Sequence, residues 1–425
     1  MSKIIQYKLV TVFILIFILS GFQSFGQLRI DSPYSRFGLG DINAGANAYQ
    51  SSMGGVGYGV RDPYRISSIN PAAYANIDSG SFVFNAAFKG LLISSKTASA
   101  SGGSNYFNIS YLKFALPVTK WWRTGGGLLP YTTVGYNVST YADMDSIGTV
   151  KYSFLGDGGI TKFYWGNSFK ITKKLAIGAN MSYLFGTNNL RRQTQLMDDP
   201  IAFKYRITNS VDVRSLYFDF GIQYNTTFGD KKKYFLGLGA VFSPEQKLHG
   251  EKSSFAITYT DGDEGHEYIK DTILDLPLDA GDIVIPQKIG GGFSIGKTKK
   301  WMLAADFTFD EFSKYTAFGK SDSLSNSIRY NIGGQYYIGS YLVNVGFMFN
   351  DSYLTLNNTK INDYGISFGI GFPLRNNAST VSSVDLGFEF GRRGTTSNNL
   401  IQQDYFKFTL GVNIRNTWFR RAKYL

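Results

Sequence analysis

The chain contains no cysteine among its 425 residues. This absence excludes a disulfide scaffold and any metal site built on thiolates. Histidine is nearly as scarce, because only His249 and His266 occur. So few imidazoles leave little material for a catalytic triad or a histidine-bound metal. We therefore expect no enzyme activity, no catalytic residue, no metal site and no cofactor.

Charged residues are also few, at 17% of the chain, although the formal net charge is +12. Many basic residues fall in short clusters such as Lys173-Lys174 and Lys231-Lys232-Lys233. Such clusters are typical of solvated turns that face lipid head groups, whereas nucleic-acid binding requires a continuous basic surface. We expect outer-membrane lipid as a neighbour and no nucleic acid as a partner.

Long apolar runs are missing beyond the N-terminus. Lys3 and Lys8 flank the start of an apolar run over residues 9–19, and Ser24-Phe25-Gly26 offers small residues at a cleavage site. This pattern predicts a signal peptide over residues 1–26. A retained anchor is the weaker alternative, because a spanning helix needs roughly 20 apolar residues. No later stretch has that length, so helical membrane spans are not expected.

What the chain has instead is a period of two residues, together with 16% aromatic residues and 48 glycines. Near the C-terminus the apolar residues alternate with polar ones and are Phe406, Phe408, Leu410, Val412 and Ile414. A strand with this period has one apolar and one polar face. Similar alternation begins at Leu175, Leu216, Trp301, Tyr341 and Val384. The pattern predicts an outer-membrane β-barrel with its apolar face toward lipid and its polar face toward the lumen.

The face assigned to the lumen is rich in glycine, amides and acids, and includes Asp219, Asp306, Asn344, Asp385 and Glu389. Paired carboxylates can serve catalysis. Structural ion pairs with bases on nearby strands are the favoured interpretation, and the available bases are Arg329, Arg392 and Arg393. The many glycines indicate a crowded lumen.

Counting the alternating runs gives fourteen antiparallel strands, which is an even number, as bacterial barrels require. The predicted barrel occupies residues 81–416, followed by a periplasmic tail over 417–425. Every second connection is short, and the two longest are predicted as external loops near 189–202 and 259–282. Short turns inside and long loops outside are typical of bacterial barrels.

Residues 27–80 show no sustained alternation. They are rich in Gly, Ser, Asn and Ala and contain Pro33, Pro63 and Pro71. Such a segment has too little apolar sequence for a core of its own. We therefore expect it to be an irregular plug inside the barrel.

The predicted third strand contains Gly125, Gly126, Gly127 and Pro130. Proline donates no hydrogen bond to a ladder, and glycine within a strand marks a bulge or a close approach. Two interpretations stay open at this point. The break is either a tight position beside the plug or a kink that opens the barrel wall.

Four features together resemble the FadL family of outer-membrane transporters for long-chain fatty acids and other hydrophobic compounds. They are Met53-Gly54-Gly55 followed by Asn70-Pro71-Ala72, the hairpin from Pro286 to Phe312, the break in the third strand, and the strand count. The resemblance covers residues 27 to about 416. It implies an N-terminal plug carrying Met53, Gly54, Gly55, Asn70, Pro71 and Ala72. It also implies passive uptake of a hydrophobic ligand across the outer membrane of a Gram-negative bacterium, with lateral exit at the kinked strand.

Two departures from that family support an alternative function. The segment from Ser32 to Asp41, near the start of the predicted plug, is not of the transporter type, and the predicted 259–282 loop is acidic. The alternative is a non-transporting interaction subunit of a larger outer-membrane secretion or assembly complex, with other envelope proteins as partners.

Overall fold

The fold is a closed barrel of fourteen antiparallel strands, as predicted. The computed structural model describes residues 32–199, 201–262, 266–376 and 380–417. The predicted signal peptide and nearly all of the predicted tail lie outside these residues. The strands are β1 (Ser81–Lys96), β2 (Ser101–Pro117), β3 (Trp122–Pro130 and Thr132–Met144), β4 (Gly148–Lys170), β5 (Leu175–Leu196), β6 (Lys204–Phe228), β7 (Tyr234–Ser243 and Gln246–Asp261), β8 (Glu267–Ile285 and Lys288–Lys297), β9 (Trp301–Asp310), β10 (Ser327–Ile338), β11 (Tyr341–Leu356), β12 (Thr359–Asn376), β13 (Thr380–Arg393) and β14 (Gln402–Thr417).

The first and last strands close the barrel. β1 pairs with β14 along its whole length, from Ser81 opposite Thr417 to Lys96 opposite Gln402. Closure matters because a backbone polar group in the hydrocarbon region needs a partner within the protein. The interruptions in β7 and β8 fall at Pro244 and Pro286, where the ladder lacks an N–H donor. Among the described residues, no helix is both long enough and apolar enough to cross a membrane.

The faces of the strands are those that the alternation predicts. On β11, Phe347 points outward and is 42% exposed, whereas Asn344 points inward and is 3% exposed. On β9, Leu303 and Phe307 are exposed and Asp306 is buried. An error of one residue in register would exchange these faces.

The prediction that residues 189–202 and 259–282 are long loops is wrong for most of these residues. The β5–β6 ladder continues to Thr194 opposite Tyr205, and the β7–β8 ladder continues to Asp261 opposite Glu267. Residues 189–202 and 259–282 are therefore mostly strand. The alternation is lost there because both faces of the β8 arm are exposed, and because three register shifts against β7 break the period.

The interior of the barrel is filled by residues 32–80. Their regular elements are short, namely the 3₁₀ turns Pro33–Arg36 and Pro71–Asn76, the helical turn Ala48–Ser51, and the two-residue strand Asp41–Ile42. Residues 32–42 reach the long-loop half of the lumen, where Ser32 Oγ donates to Gln403 Oε1 at 2.5 Å. Residues 43–80 fill the short-turn half, where Arg123 Nε donates to the Ile77 carbonyl at 3.0 Å.

Candidate functional site

The Met53-Gly54-Gly55 motif lies against the inner wall at β10 and β11. Gly54 and Gly55 have φ of +69° and +87°, a conformation that L side chains rarely adopt. The wall is also glycine at this contact. A Cβ on Gly346 would lie 2.1 Å from the Gly54 nitrogen, and one on Gly333 would lie 2.3 Å from the Met53 oxygen. Glycines on both sides therefore permit direct approach of the two backbones.

The Asn70-Pro71-Ala72 motif packs against β5 and β6. Asn70 Oδ1 accepts a hydrogen bond from the Ala72 N–H at 3.0 Å, which caps the turn that follows. Asn70 Nδ2 donates to the carbonyls of Tyr58 at 2.8 Å and Ile222 at 3.2 Å. A Cβ on Gly178 would lie 2.4 Å from the carbonyl carbon of Pro71. The motif thus connects two parts of the plug to the wall.

Buried charges also hold the plug. Arg65 donates to Asp385 on β13 through Nε at 2.7 Å and Nη2 at 2.6 Å, and to Asp62 through Nη1 at 3.0 Å. Burial alone would lower the pKa of Arg65, but the Asp385 and Asp62 carboxylates raise it overall, so the guanidinium stays charged. A bidentate geometry of this kind is the strongest form of ion pair.

The expected pairing of lumen acids with bases on nearby strands holds for Glu389, which pairs with Lys407. The particular bases predicted are mostly wrong, and the plug supplies the partners of Asp385 and Asp306. Asp385 pairs with Arg65, and Asp306 accepts the backbone N–H groups of Gly57 at 2.6 Å and Tyr58 at 3.0 Å. Arg392, predicted as a lumen base, is instead exposed and paired with Asp404. Sequence spacing reveals strand neighbours, but it does not show which plug residue reaches which strand.

A cavity of about 370 Å³ lies between the plug and the inner surface of the barrel wall. Its lining includes five carboxylates and six lysine or arginine side chains. Several of these lining groups form ion pairs with one another: Lys162–Asp219 at 2.7 Å, Arg393–Asp41 at 2.8 Å and Lys407–Glu389 at 2.8 Å. The cavity lining thus combines ion-paired charged groups with apolar side chains such as Leu91, Ile93 and Leu129.

An apolar layer covers the long-loop end of the cavity. Tyr34 and Leu39 of the plug are buried there against inward residues of the wall, which include Ile160, Leu184, Val213, Leu248, Ile283 and Tyr353. Tyr34 is fixed further by its hydroxyl, which donates to the Ile401 carbonyl at 2.5 Å. Residues 32–42 therefore form a packed layer, here called the ceiling, at the end of the barrel that carries the long hairpins.

The wall is incomplete between β2 and β3. Among the described residues, the pairing of these strands ends at Leu112 opposite Leu128. The second segment of β3 pairs with β4 from Val134 opposite Gly158 to Met144 opposite Gly148. Within the part of the chain that the structure describes, this segment forms no ladder with β2. Cavity-lining residues border this gap on both sides, with Ser110 on β2 and Pro130 on β3.

The predicted kink residues divide between two environments. Gly125, Gly126 and Gly127 lie inside the paired part of β3, where an added Cβ would come within 3.0 Å of β2 or β4 atoms. Pro130 lies at the edge of the gap, next to the break at Tyr131. The glycines are thus in a tight position and Pro130 borders the opening, while a transport role for any of the four stays a prediction.

The plug approaches the gap from inside, which the sequence did not reveal. Asp41 and Ile42 pair with Thr133 and Thr132 of β3. Ser32 N–H donates to the Gly135 carbonyl at 2.9 Å, and Gly135 N–H donates to Ser35 Oγ at 3.1 Å. In this segment the sequence indicates only a short helical turn, because Ser32-Pro33 is a typical start of one, and it does not indicate the contact with β3. No group of three or more potential metal ligands occurs in the described ranges.

Solved structures described as transporters, and one of a FadL homologue, share the fold of this barrel. The toluene transporter TbuX of Ralstonia pickettii has a TM-score of 0.57 and 15% identity, over 88% of this chain and 99% of its own. The toluene transporter TodX of P. putida has a TM-score of 0.59 and 14% identity, over 89% and 100%. A Pseudomonas aeruginosa FadL homologue has a TM-score of 0.59 and 12% identity, over 88% and 98%. At these identities the likeness shows the fold alone.

The family model named BamG matches residues 5–425, so the chain belongs to the BamG family. The predicted resemblance to FadL therefore holds for the fold, while the family that matches carries another name. None of the curated proteins matches this sequence.

Proposed function

We propose that this protein is a non-transporting subunit of a larger complex in the outer membrane of a Gram-negative bacterium. In this function the barrel offers binding surfaces to other envelope proteins and has no catalytic role. The observation that carries the proposal is the charged cavity beneath an apolar ceiling.

The charged cavity disfavours passage of an apolar ligand. Such a ligand gains about 25 cal/mol per Å² only where its surface leaves water for an apolar lining. Here it would remove water from ion-paired side chains such as Lys162 and Asp219 without offering them a hydrogen bond. Leaving polar groups without compensation is unfavourable by about 1–3 kcal/mol for each group.

The anchoring of the plug also favours a fixed interior. Clearing a passage would break the buried Arg65–Asp385 pair and the close contacts at Gly346 and Gly178. Breaking one buried pair alone costs about 3–5 kcal/mol. The name BamG of the family hints at protein partners in the envelope, which is consistent with a subunit function.

Passive uptake of a hydrophobic small molecule is the second candidate, and the gap between β2 and β3 favours it. Ser110 and Pro130 border both the gap and the cavity, so a ligand that reached the cavity could leave sideways into the membrane. The solved relatives include proteins described as toluene transporters and a monoaromatic hydrocarbon channel. Uptake would require the ceiling of residues 32–42 to move.

Ligand binding distinguishes these two functions. Purified protein in detergent is titrated with radiolabelled oleate and, separately, with toluene. We expect no saturable binding to the wild type, together with a co-purifying protein at a fixed molar ratio. Uptake is supported instead by saturable binding that Ser110→Trp abolishes at the gap and that Ser94→Trp on the exposed face of β1 leaves unchanged.

A further inference from the structure

The strands on one side of the barrel extend well beyond the membrane. β4, β5 and β6 contain 23, 22 and 25 residues, whereas β13 contains 14. A membrane-spanning strand needs only about 9–11 residues. Since the turns at the other end are short, the excess length projects from the long-loop end, which is extracellular in bacterial barrels.

The ends of these long hairpins expose large apolar side chains. Ile147 at the β3–β4 turn is 54% exposed, and Ile201 and Phe203 at the β5–β6 turn are 85% and 52% exposed. We define the tip surface by the exposed residues of these two turns, which are Tyr141, Met144, Ile147, Met197, Ile201 and Phe203. Exposed apolar patches outside the lipid zone mark contact surfaces for other proteins.

Hydrogen bonds hold the two turns side by side. The Met197 N–H donates to the Thr149 carbonyl at 2.9 Å, and the Thr149 N–H donates to Asp198 Oδ2 at 2.7 Å. The next hairpin is joined to them through Arg206, whose guanidinium donates to both carboxylate oxygens of Glu267 at 2.8 and 2.7 Å. The tip surface is therefore continuous across its two hairpins, and the β7–β8 hairpin is joined to it.

The surroundings of the tip surface are acidic. The described residues within 141–148, 197–203 and 261–282 contain ten Asp and Glu residues and one lysine, in a chain whose net charge is +12. Three of these acids, Asp261, Glu267 and Asp279, are paired with basic side chains of the adjoining strands. At the opposite end, the short turns over 118–121, 171–174, 229–233 and 298–300 contain eight lysines and one aspartate. The two ends of the barrel thus carry opposite charge.

We propose that the tip surface binds an extracellular face of a partner protein whose contact is apolar at its centre and rich in lysine and arginine around it. The proposal rests on the subunit function and adds the location and chemistry of the contact. Charge complementarity selects this occupant, because acidic groups attract a basic rim and repel the phosphates of a lipid head group. The exposed apolar side chains supply the area that such a contact desolvates.

Site-specific photo-crosslinking in cells tests the location. A benzophenone side chain is placed at Ile147 or Ile201, and at Ile332 as a control that is 58% exposed on the membrane face of β10. We expect one protein adduct of constant mass from both tip positions and none from Ile332. Mass spectrometry then identifies the protein, which is purified and titrated with the full-length barrel.

The charge requirement is tested with the same purified pair. We expect affinity to fall at least about ten-fold in Asp143→Asn/Asp145→Asn/Asp198→Asn/Asp199→Asn, and to weaken as salt rises. Asp230→Asn in an exposed turn at the opposite end is the control and should bind like the wild type.

Three outcomes would overturn this inference. A partner of fixed ratio that crosslinks only from wall positions such as Phe107 would reject the tip surface and leave the subunit function standing. An adduct with lipopolysaccharide that no longer forms when EDTA is added before irradiation would identify a cation-bridged lipid contact instead. Absence of any protein at a fixed ratio would reject both the inference and the subunit function.

Discussion

Single residues hold the plug where glycines of the wall meet its backbone. Gly178 and Gly346 have no room for a Cβ, because Pro71 and Gly54 occupy that space. The sequence predicted a crowded, glycine-rich lumen from the alternation alone. It did not predict which glycine contacts which plug residue, because an irregular segment has no sequence periodicity that would show where its residues lie.

Adding one methyl group at this contact should destabilise the protein. Gly346→Ala brings a Cβ to 2.1 Å from the Gly54 nitrogen, so the free energy of unfolding should fall by about 1–3 kcal/mol. Gly291→Ala is the control, because its Cβ would meet only the Gly239 oxygen at 4.0 Å. Urea unfolding in detergent micelles measures both. Equal stability of the two variants would contradict the tight contact.

The buried ion pair is a second determinant at the residue scale. Asp385→Ala leaves Arg65 charged and without its main acceptor, which should cost about 3–5 kcal/mol of stability. Asp404→Ala removes an exposed pair with Arg392 and should cost no more than about 1 kcal/mol. Similar losses in the two variants would show that the plug is not anchored by charge.

Among the elements, the strands were predictable because each has one face in lipid. The period of two is strict on β9, β11 and β14, where lipid requires apolar side chains. It fails on the arm of β8 above the membrane, where water contacts both faces. The gap beside β3 could be anticipated from Pro130, but the pairing of Asp41–Ile42 with the edge of β3 depends on the folded plug.

A charge on the outer face of β11 tests the register of that element. Phe347→Arg places a guanidinium in lipid and should cost about 2–4 kcal/mol in barrel stability if the site is near the midplane. Met348→Arg is the matched control, because the neighbouring Met348 lines the charged cavity. Folding into phosphatidylcholine vesicles under a urea titration compares the variants. A larger loss for Met348→Arg would mean that the faces are exchanged.

The whole molecule is a closed barrel with one gap in its wall, between β2 and β3, and with opposite charges at its two ends. Its architecture followed from the sequence, since signal, alternation and strand count agree. Its function did not, because ion pairs within the wall and between plug and wall determine the character of the lumen, and the spacing of residues does not show which groups pair. The ion-paired groups of the cavity are the property on which the proposed subunit function rests.

Removing the plug should open the barrel to ions. In planar bilayers we expect the full-length protein to conduct very little, and a variant lacking residues 32–80 to conduct in steps of uniform size. The reason is that this segment fills both halves of the lumen. The same low conductance in the shortened variant would mean that the arms or the wall, and not the plug, close the barrel.

The subunit function is tested most directly by the stoichiometry of the native assembly. The tagged chain is expressed at its natural level, extracted in a mild detergent, and its molar ratio to every co-purifying protein is measured by quantitative mass spectrometry. We predict at least one envelope protein at a constant whole-number ratio across independent preparations. A chain that is recovered alone, and that binds oleate saturably in that state, would contradict the subunit function and support uptake.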